Sequence, residues 1–172
     1  MSEKKKVKNA EYDVVVVGGG MSGICAALAA ARHGVRTALG CARHVLGGNG
    51  SSEIRMHICG ASENLAKPDL EEGGILYEIM LDNKSRNDYY NFSIWDMILF
   101  STVKRQENLT VYLNTAMESC EMGEDSTIRS IDAYQLTTET HWRISGKVFI
   151  DCTGNATLGY YAGAEFRTGC EG

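Results

Sequence analysis

The chain has 172 residues, 44% hydrophobic and 23% charged, which suits one globular domain with a substantial core. A net charge of −5 excludes the basic footprint of a nucleic-acid-binding protein, and the only basic cluster (Lys4, Lys5, Lys6 and Lys8) reads as a flexible, solvated tail over residues 1–10. No stretch reaches the ~18 apolar residues of a membrane span and no secretory apolar segment follows the lysines, so a cytoplasmic protein with no membrane partner is expected.

In chain order, residues 12–17 read as the first strand, because Val14, Val15, Val16 and Val17 are β-branched residues without alternation, as in a parallel strand buried on both faces. They run into Gly18-Gly19-Gly20-Met21-Ser22-Gly23 and then an alanine-rich segment, residues 21–32, that reads as a helix ended by Gly34. Strand, G-x-G-x-x-G turn and helix form the dinucleotide-binding fingerprint. Gly18 permits the turn, Gly20 lets a pyrophosphate approach the backbone, and Gly23 lets the helix pack closely. The helix N-terminus adds free N–H groups and the positive end of its dipole.

Residues 35–39 predict a second parallel strand, 46–52 a glycine-rich loop, and 62–72, with the only proline (Pro68), a surface connection. Helices are predicted over 75–81 and 94–104, the second with Ile94, Met97 and Ile98 on an apolar face that reads as core. Residues 109–113 predict a third strand. Segments 127–136, 141–145 and 148–151 are short and suggest an antiparallel meander, although Val148-Phe149-Ile150 lacks alternation and could instead rejoin the parallel sheet. Residues 162–165 form a short small-residue segment. The fold class is therefore α/β: a Rossmann-like domain over residues 11–172 with a parallel sheet and an antiparallel β-meander crossover. The six cysteines (25, 41, 59, 120, 152 and 170) form no C-x-x-C pair, so reduced thiols and no metal site are expected.

Four pieces of the chain, in order, carry a family likeness: residues 14–23 continuing to Ala27 and Gly34; Val45-Leu46-Gly47-Gly48-Asn49 with Ser51-Ser52-Glu53-Ile54-Arg55-Met56; Asn108-Leu109-Thr110 with Leu113-Asn114-Thr115; and residues 148–154 with Ala162-Gly163-Ala164-Glu165. The chain resembles the N-terminal, FAD-binding portion of FAD-dependent oxidoreductases of the glutathione-reductase-2, fumarate-reductase-like type. The resemblance implies FAD as cofactor, with its pyrophosphate on Gly18, Gly20, Met21, Ser22 and Gly23. It implies Arg43 near the adenosine, and Gly47, Gly48 and Asn49 along the ribityl chain. Met117 would offer backbone contacts to the adenine, and Thr153 and Gly154 would pack near the adenosine end.

Two positions depart from the family pattern. Cys41 stands where a glutamate usually receives the ribose hydroxyls, and a thiol cannot replace a bidentate carboxylate acceptor; Asn155 stands where the last motif usually has aspartate. The family normally continues for hundreds of residues, so the resemblance also implies that the substrate domain is absent. A second chain or a second copy would then cover the truncated face, FAD binding would be weak or absent, and this chain alone would show no turnover.

The chain's own residues leave the catalytic group unknown. Arg55, His57 and Cys59 would share one face of an extended segment after the glycine loop, with histidine as acid or base, although a satisfied histidine and a buried thiol fit the same pattern. The principal reading is the FAD-binding portion of an oxidoreductase acting on a small molecule. Two alternatives stand beside it: a non-catalytic nucleotide-binding or subunit-interaction fragment, and an NAD(P)-binding module with Arg32, Arg36 and Arg43 as 2′-phosphate ligands.

Overall fold

The computed structural model describes residues 7–60 and 73–169. Two four-stranded sheets and a helical layer make up the fold. The central sheet joins β2 (Val14–Val17), β3 (Thr37–Gly40), β4 (Leu109–Tyr112) and β8 (Val148–Asp151) in the order β4-β3-β2-β8, with every pairing parallel. The second sheet has the order β1-β7-β6-β5: β5 (Thr115–Met122), β6 (Ile128–Gln135) and β7 (Thr140–Ser145) form an antiparallel meander, and β1 (Val7–Glu11) lies parallel to β7. The helices are α1 (Met21–Arg32), α2 (Gly74–Arg86), α3 (Phe92–Arg105) and the short α4 (Thr157–Tyr161).

Strand β2 shows why four consecutive valines suit the middle of such a fold. Successive side chains point to opposite faces. Val16 packs with Ile24 and Leu28 of α1 and with Ile98, Leu99 and Val103 of α3. Val15 and Val17 pack on the other face with Ile131 and Ile144 of the meander. Helices therefore cover one face of the parallel sheet and the meander covers the other. Asp13 fixes the entry to the sheet: its carboxylate accepts from the Arg36 backbone N–H at 3.0 Å, just before β3, and from Lys147 Nζ at 2.7 Å, just before β8. The hydrogen bond from Lys147 and that from Arg36 hold the Asp13 carboxyl below the usual carboxylate range.

Several sequence expectations are corrected. The tail does not extend to residue 10, since Val7–Glu11 is a strand. Its residues carry little alternation, but β7 supplies a full parallel register from Val7↔His141 to Glu11↔Ser145, and Lys8 Nζ lies 5.4 Å from the Trp142 ring centroid. The meander consists of β5, β6 and β7, whereas β8 rejoins the parallel sheet beside β2. Strand β5 and helix α4 carried no clear signal; a register shift between Met117 and Ser119 breaks the alternation of β5. Helix α2 runs past the expected end at 81 to Arg86, and α3 starts at Phe92 because the Asn91 side chain accepts from the Ser93 N–H at 2.8 Å. Gly34 ends α1 as expected, with φ +85°. The connection expected over 62–72, with Pro68, lies outside the described residues.

Candidate functional site

The fingerprint turn lies at the C-terminal end of β2. Each of its glycines is constrained differently. Gly18 has φ +111°, and a Cβ there would sit 2.2 Å from the carbonyl oxygen of Cys152 at the end of β8. A Cβ on Gly19 would lie 2.5 Å from Cys41 Sγ, and one on Gly23 would lie 1.8 Å from the Gly18 carbonyl oxygen. These three positions are filled by protein. At Gly20 a Cβ would meet nothing within 4 Å. Gly20 also N-caps α1 with no side-chain hydrogen bond, so the first N–H groups of the helix face that open side without a cap. Met21 and Ser22 form this uncapped first turn.

A second glycine loop lies against the first. Gly47 donates its N–H to the Gly19 carbonyl at 2.8 Å, and Gly20 and Gly47 form a parallel bridge. A Cβ on Gly48 would come 3.2 Å from Gly20 Cα, and Gly47 and Gly48 both have positive φ, 109° and 59°. Gly20, Gly47 and Gly48 thus form one surface. Asn49 follows on the same turn with its side chain exposed.

Helix α3 holds this second loop. Trp95 Nε1 donates to the Gly50 carbonyl at 2.7 Å, and Asp96 Oδ1 accepts from the Ser52 N–H at 3.0 Å. Leu99 Cδ1 fills the place of a Cβ on Gly47, 2.7 Å away. Sequence reading assigned α3 to the core. The contacts that make it a brace span more than 40 residues and leave no local signal.

The remaining expected residues are less uniformly placed. Cys41 is buried, 4% exposed, and its thiol donates to the Val45 carbonyl at 3.5 Å. Burial pushes that thiol's pKa up. Arg43 pairs with Glu53 at 2.9 Å, and His44 Nδ1 lies 3.3 Å from the same carboxylate. Thr153 is fully committed: its N–H and hydroxyl donate to Asp151 Oδ1 at 2.9 and 2.8 Å, and its oxygen accepts from the Thr157 N–H at 2.9 Å. Its backbone nitrogen still lies beside the Gly18 turn, and Gly154 has φ +78° with open space where a Cβ would be. Met117 packs against the meander-facing core, two residues past Thr115, whose N–H reaches the Cys41 carbonyl at 2.8 Å. Burial alone would raise the Asp151 pKa, but the N–H groups of Thr153 and Gly159 and the Thr153 hydroxyl outweigh it, leaving it below the usual carboxylate range.

Arg55, His57 and Cys59 do not share the expected extended face. Arg55 adopts φ +62° and turns back so that its Nε donates to the Ser52 carbonyl at 3.2 Å. His57 and Cys59 instead line a cavity with α2 and α3. Among the described residues there is no cluster of three metal-ligating side chains, and no helix is long and apolar enough to cross a membrane.

The open face at Gly20 fits a dinucleotide pyrophosphate. It is the one glycine of the turn whose missing side chain leaves space rather than a packed contact, and it lies at an uncapped helix N-terminus.

Comparison with solved structures shows the fold. The chain is similar to a geranylgeranyl bacteriochlorophyll reductase-like protein from Thermoplasma acidophilum, with TM-score 0.62 and 16% identity over 92% of this chain and 43% of that one. It is similar to p-nitrophenol 4-monooxygenase from Pseudomonas putida, with TM-score 0.59 and 16% identity over 93% of this chain and 45% of that one. It is also similar to the FrdA chain of E. coli quinol fumarate reductase, with TM-score 0.54 and 14% identity over 84% of this chain and 33% of that one. The chain thus spans less than half the length of each of these proteins. No curated protein sequence matches it. The profile of the FAD dependent oxidoreductase family matches residues 13–172. The chain therefore belongs to the FAD dependent oxidoreductase family, whose cofactor is FAD.

Proposed function

We propose that this chain is the dinucleotide-binding portion of an oxidoreductase that acts on a small molecule through FAD. The observation that carries the reading is the contrast at the fingerprint turn, where Gly20 alone opens onto free space beside an uncapped helix N-terminus. In this reading the pyrophosphate lies on Gly18, Gly20, Met21, Ser22 and Gly23. Gly47, Gly48 and Asn49 line the path of the ribityl chain, the backbones of Cys41, Thr153, Gly154 and Met117 border the adenosine end, and Arg43 lies beside it. Bound flavin supplies the hydride and electron chemistry; the protein supplies position and water exclusion.

The arginines favour FAD over a 2′-phosphorylated nicotinamide. Arg32 makes a bidentate pair with Glu78 at 2.8 and 2.7 Å, Arg36 lies near Asp13 and Glu11, and Arg43 is paired with Glu53. Each guanidinium already faces a carboxylate. The buried Cys41 supplies no ribose acceptor, so FAD affinity rests on the glycine surface and is modest. A cytoplasmic setting fits the thiols of Cys25, Cys41, Cys120 and Cys152, which are not in disulfides. The exposed Tyr160, Tyr161 and Phe166 give a further chain or a second copy an apolar face to cover.

Titration of the chain with FAD, followed by quenching of flavin fluorescence and repeated with NAD and NADP as competitors, tests the reading. FAD is expected to bind at micromolar concentrations and neither nicotinamide nucleotide to displace it. Binding of NADP without binding of FAD would replace this reading with the nicotinamide one.

A further inference from the structure

Beside the second glycine loop, at Gly50, lies a cavity of about 480 Å³, within the size range of small-molecule sites. Its walls come from the segment after the loop (Met56, His57), from α2 (Tyr77, Met80), from the connection between α2 and α3 (Tyr90) and from α3 (Trp95). Several of the polar atoms in these walls are already used. Trp95 Nε1 donates to the Gly50 carbonyl. The buried Asn87 donates through Nδ2 to Asn83 Oδ1 and the Asn91 carbonyl, both at 2.9 Å, and accepts from the Asn91 N–H at 2.8 Å. The cavity therefore offers mainly rings and thioethers to whatever enters it.

One charge breaks that pattern. Among the described residues, Lys84 of α2 is the only lysine or arginine lining the cavity, and no aspartate or glutamate lines it. Among the described residues, Lys84 has no carboxylate within ion-pair distance, although the other basic residue near the end of α2, Arg86, is paired with Asp82. A largely apolar, aromatic lining that, among the described residues, carries one ammonium and no carboxylate is complementary to a molecule with a flat apolar body and one negative charge.

We propose that this cavity binds a small organic anion of that kind, an aromatic or similarly flat carboxylate, as the substrate class of the oxidoreductase. Its assignment as substrate rests on the FAD reading; its binding does not. Gly50 and Trp95 belong to the cavity wall and to the support of the second glycine loop at once, so a molecule in the cavity rests against the loop that bridges to Gly20 through Gly47.

The probe is 2-naphthoate, with neutral 2-naphthalenemethanol as its isostere, titrated by calorimetry into the purified chain. The indole N–H resonance of Trp95, assigned with Trp142→Phe, reports the site. Naphthoate should shift that resonance and bind about tenfold more tightly than the alcohol, the size of one charge-assisted hydrogen bond. Lys84→Met should remove that preference without weakening the alcohol, and Lys84→Arg should largely keep it. Equal binding of the two probes, a preference unchanged in Lys84→Met, or no shift at Trp95 would overturn the proposal. Gly20→Val separates the two readings, because it should remove FAD binding and leave naphthoate binding unchanged. Naphthoate binding by a chain that never binds FAD would keep the anion site and sink the flavin reading; FAD binding without naphthoate binding would do the reverse.

Discussion

The two glycine loops that meet at Gly20 and Gly47 are built by different means. The first is supported from within and by its own sheet: Gly18 closes on Cys152, and Gly23 closes on Gly18, with a virtual Cβ only 1.8 Å from its carbonyl. The second is supported from outside, by Trp95, Asp96 and Leu99 of a helix that begins more than 40 residues after the loop starts. A loop made of close backbone contacts needs glycine at fixed spacing and therefore advertises itself. A loop held by distant side chains needs only that those side chains arrive. Both present backbone to the same open surface, so a shared function does not require a shared mode of support.

The largest effect should come from Gly23→Ala. The added methyl faces backbone rather than a mobile side chain, so helix α1 and the turn must separate. Overpacking of this kind costs about 3 kcal/mol or more when backbone must move. Urea unfolding should show that loss, and a change under ~1 kcal/mol would mean that the first loop is looser than its contacts indicate.

Trp95→Phe should come next. It keeps an aromatic ring in the core but leaves the buried Gly50 without the indole donor to its carbonyl, at a cost of about 1–3 kcal/mol. FAD affinity should fall with it while the first loop keeps its shape. Asp96→Asn should have a smaller effect, near 1 kcal/mol, because the amide oxygen can still accept from Ser52 without the charge. If neither variant changes FAD affinity, α3 does not brace the cofactor surface, and the comparison between the loops fails.

These differences also explain what was legible in the sequence. Val14 to Val17, the glycine spacing and the alanine-rich helix are local signals, and the parallel strand, turn and α1 could be read from them directly. The second loop was legible as a glycine run but its support was not, since nothing near Trp95 marks Gly50 as its partner. Strand β1 was unreadable for a related reason. Its sequence, VKNAE, is mostly exposed, and its order comes from the backbone of β7 and from the ring of Trp142. Arg55, His57 and Cys59 were grouped by alternation, a rule that the positive φ of Arg55 breaks. Cys41 was placed by spacing, but spacing does not reveal that its thiol turns inward toward Val45.

The smallest expected effect is on pH dependence and concerns the floor of the first loop. The Asp151 carboxyl, which receives Thr153 and Gly159 beside Cys152, is held below its ordinary pKa in the folded protein. A folded-state pKa below the unfolded value of about 3.9 gives stability that is present above that pH and is lost as pH falls through the lower folded value. Asp132, hydrogen-bonded by Arg143, shifts in the same direction. Thermal stability should therefore be nearly flat from neutral pH to about 5 and fall below about 4. Asp151→Asn should flatten part of that acid limb; an unchanged limb would place the titrating groups elsewhere.

The measurement that tests the central claim most directly is FAD affinity in Gly20→Val, set beside its melting temperature. Gly20 has extended backbone, with φ −70° and ψ 179°, and open space where the valine side chain would go. The fold should lose only about 1 kcal/mol, from the weaker helix cap. The account predicts native circular dichroism, melting within a few degrees of the parent, and FAD binding weakened about a hundredfold or more, because the isopropyl group occupies the place of the pyrophosphate. Unchanged FAD affinity in a folded Gly20→Val protein would contradict it.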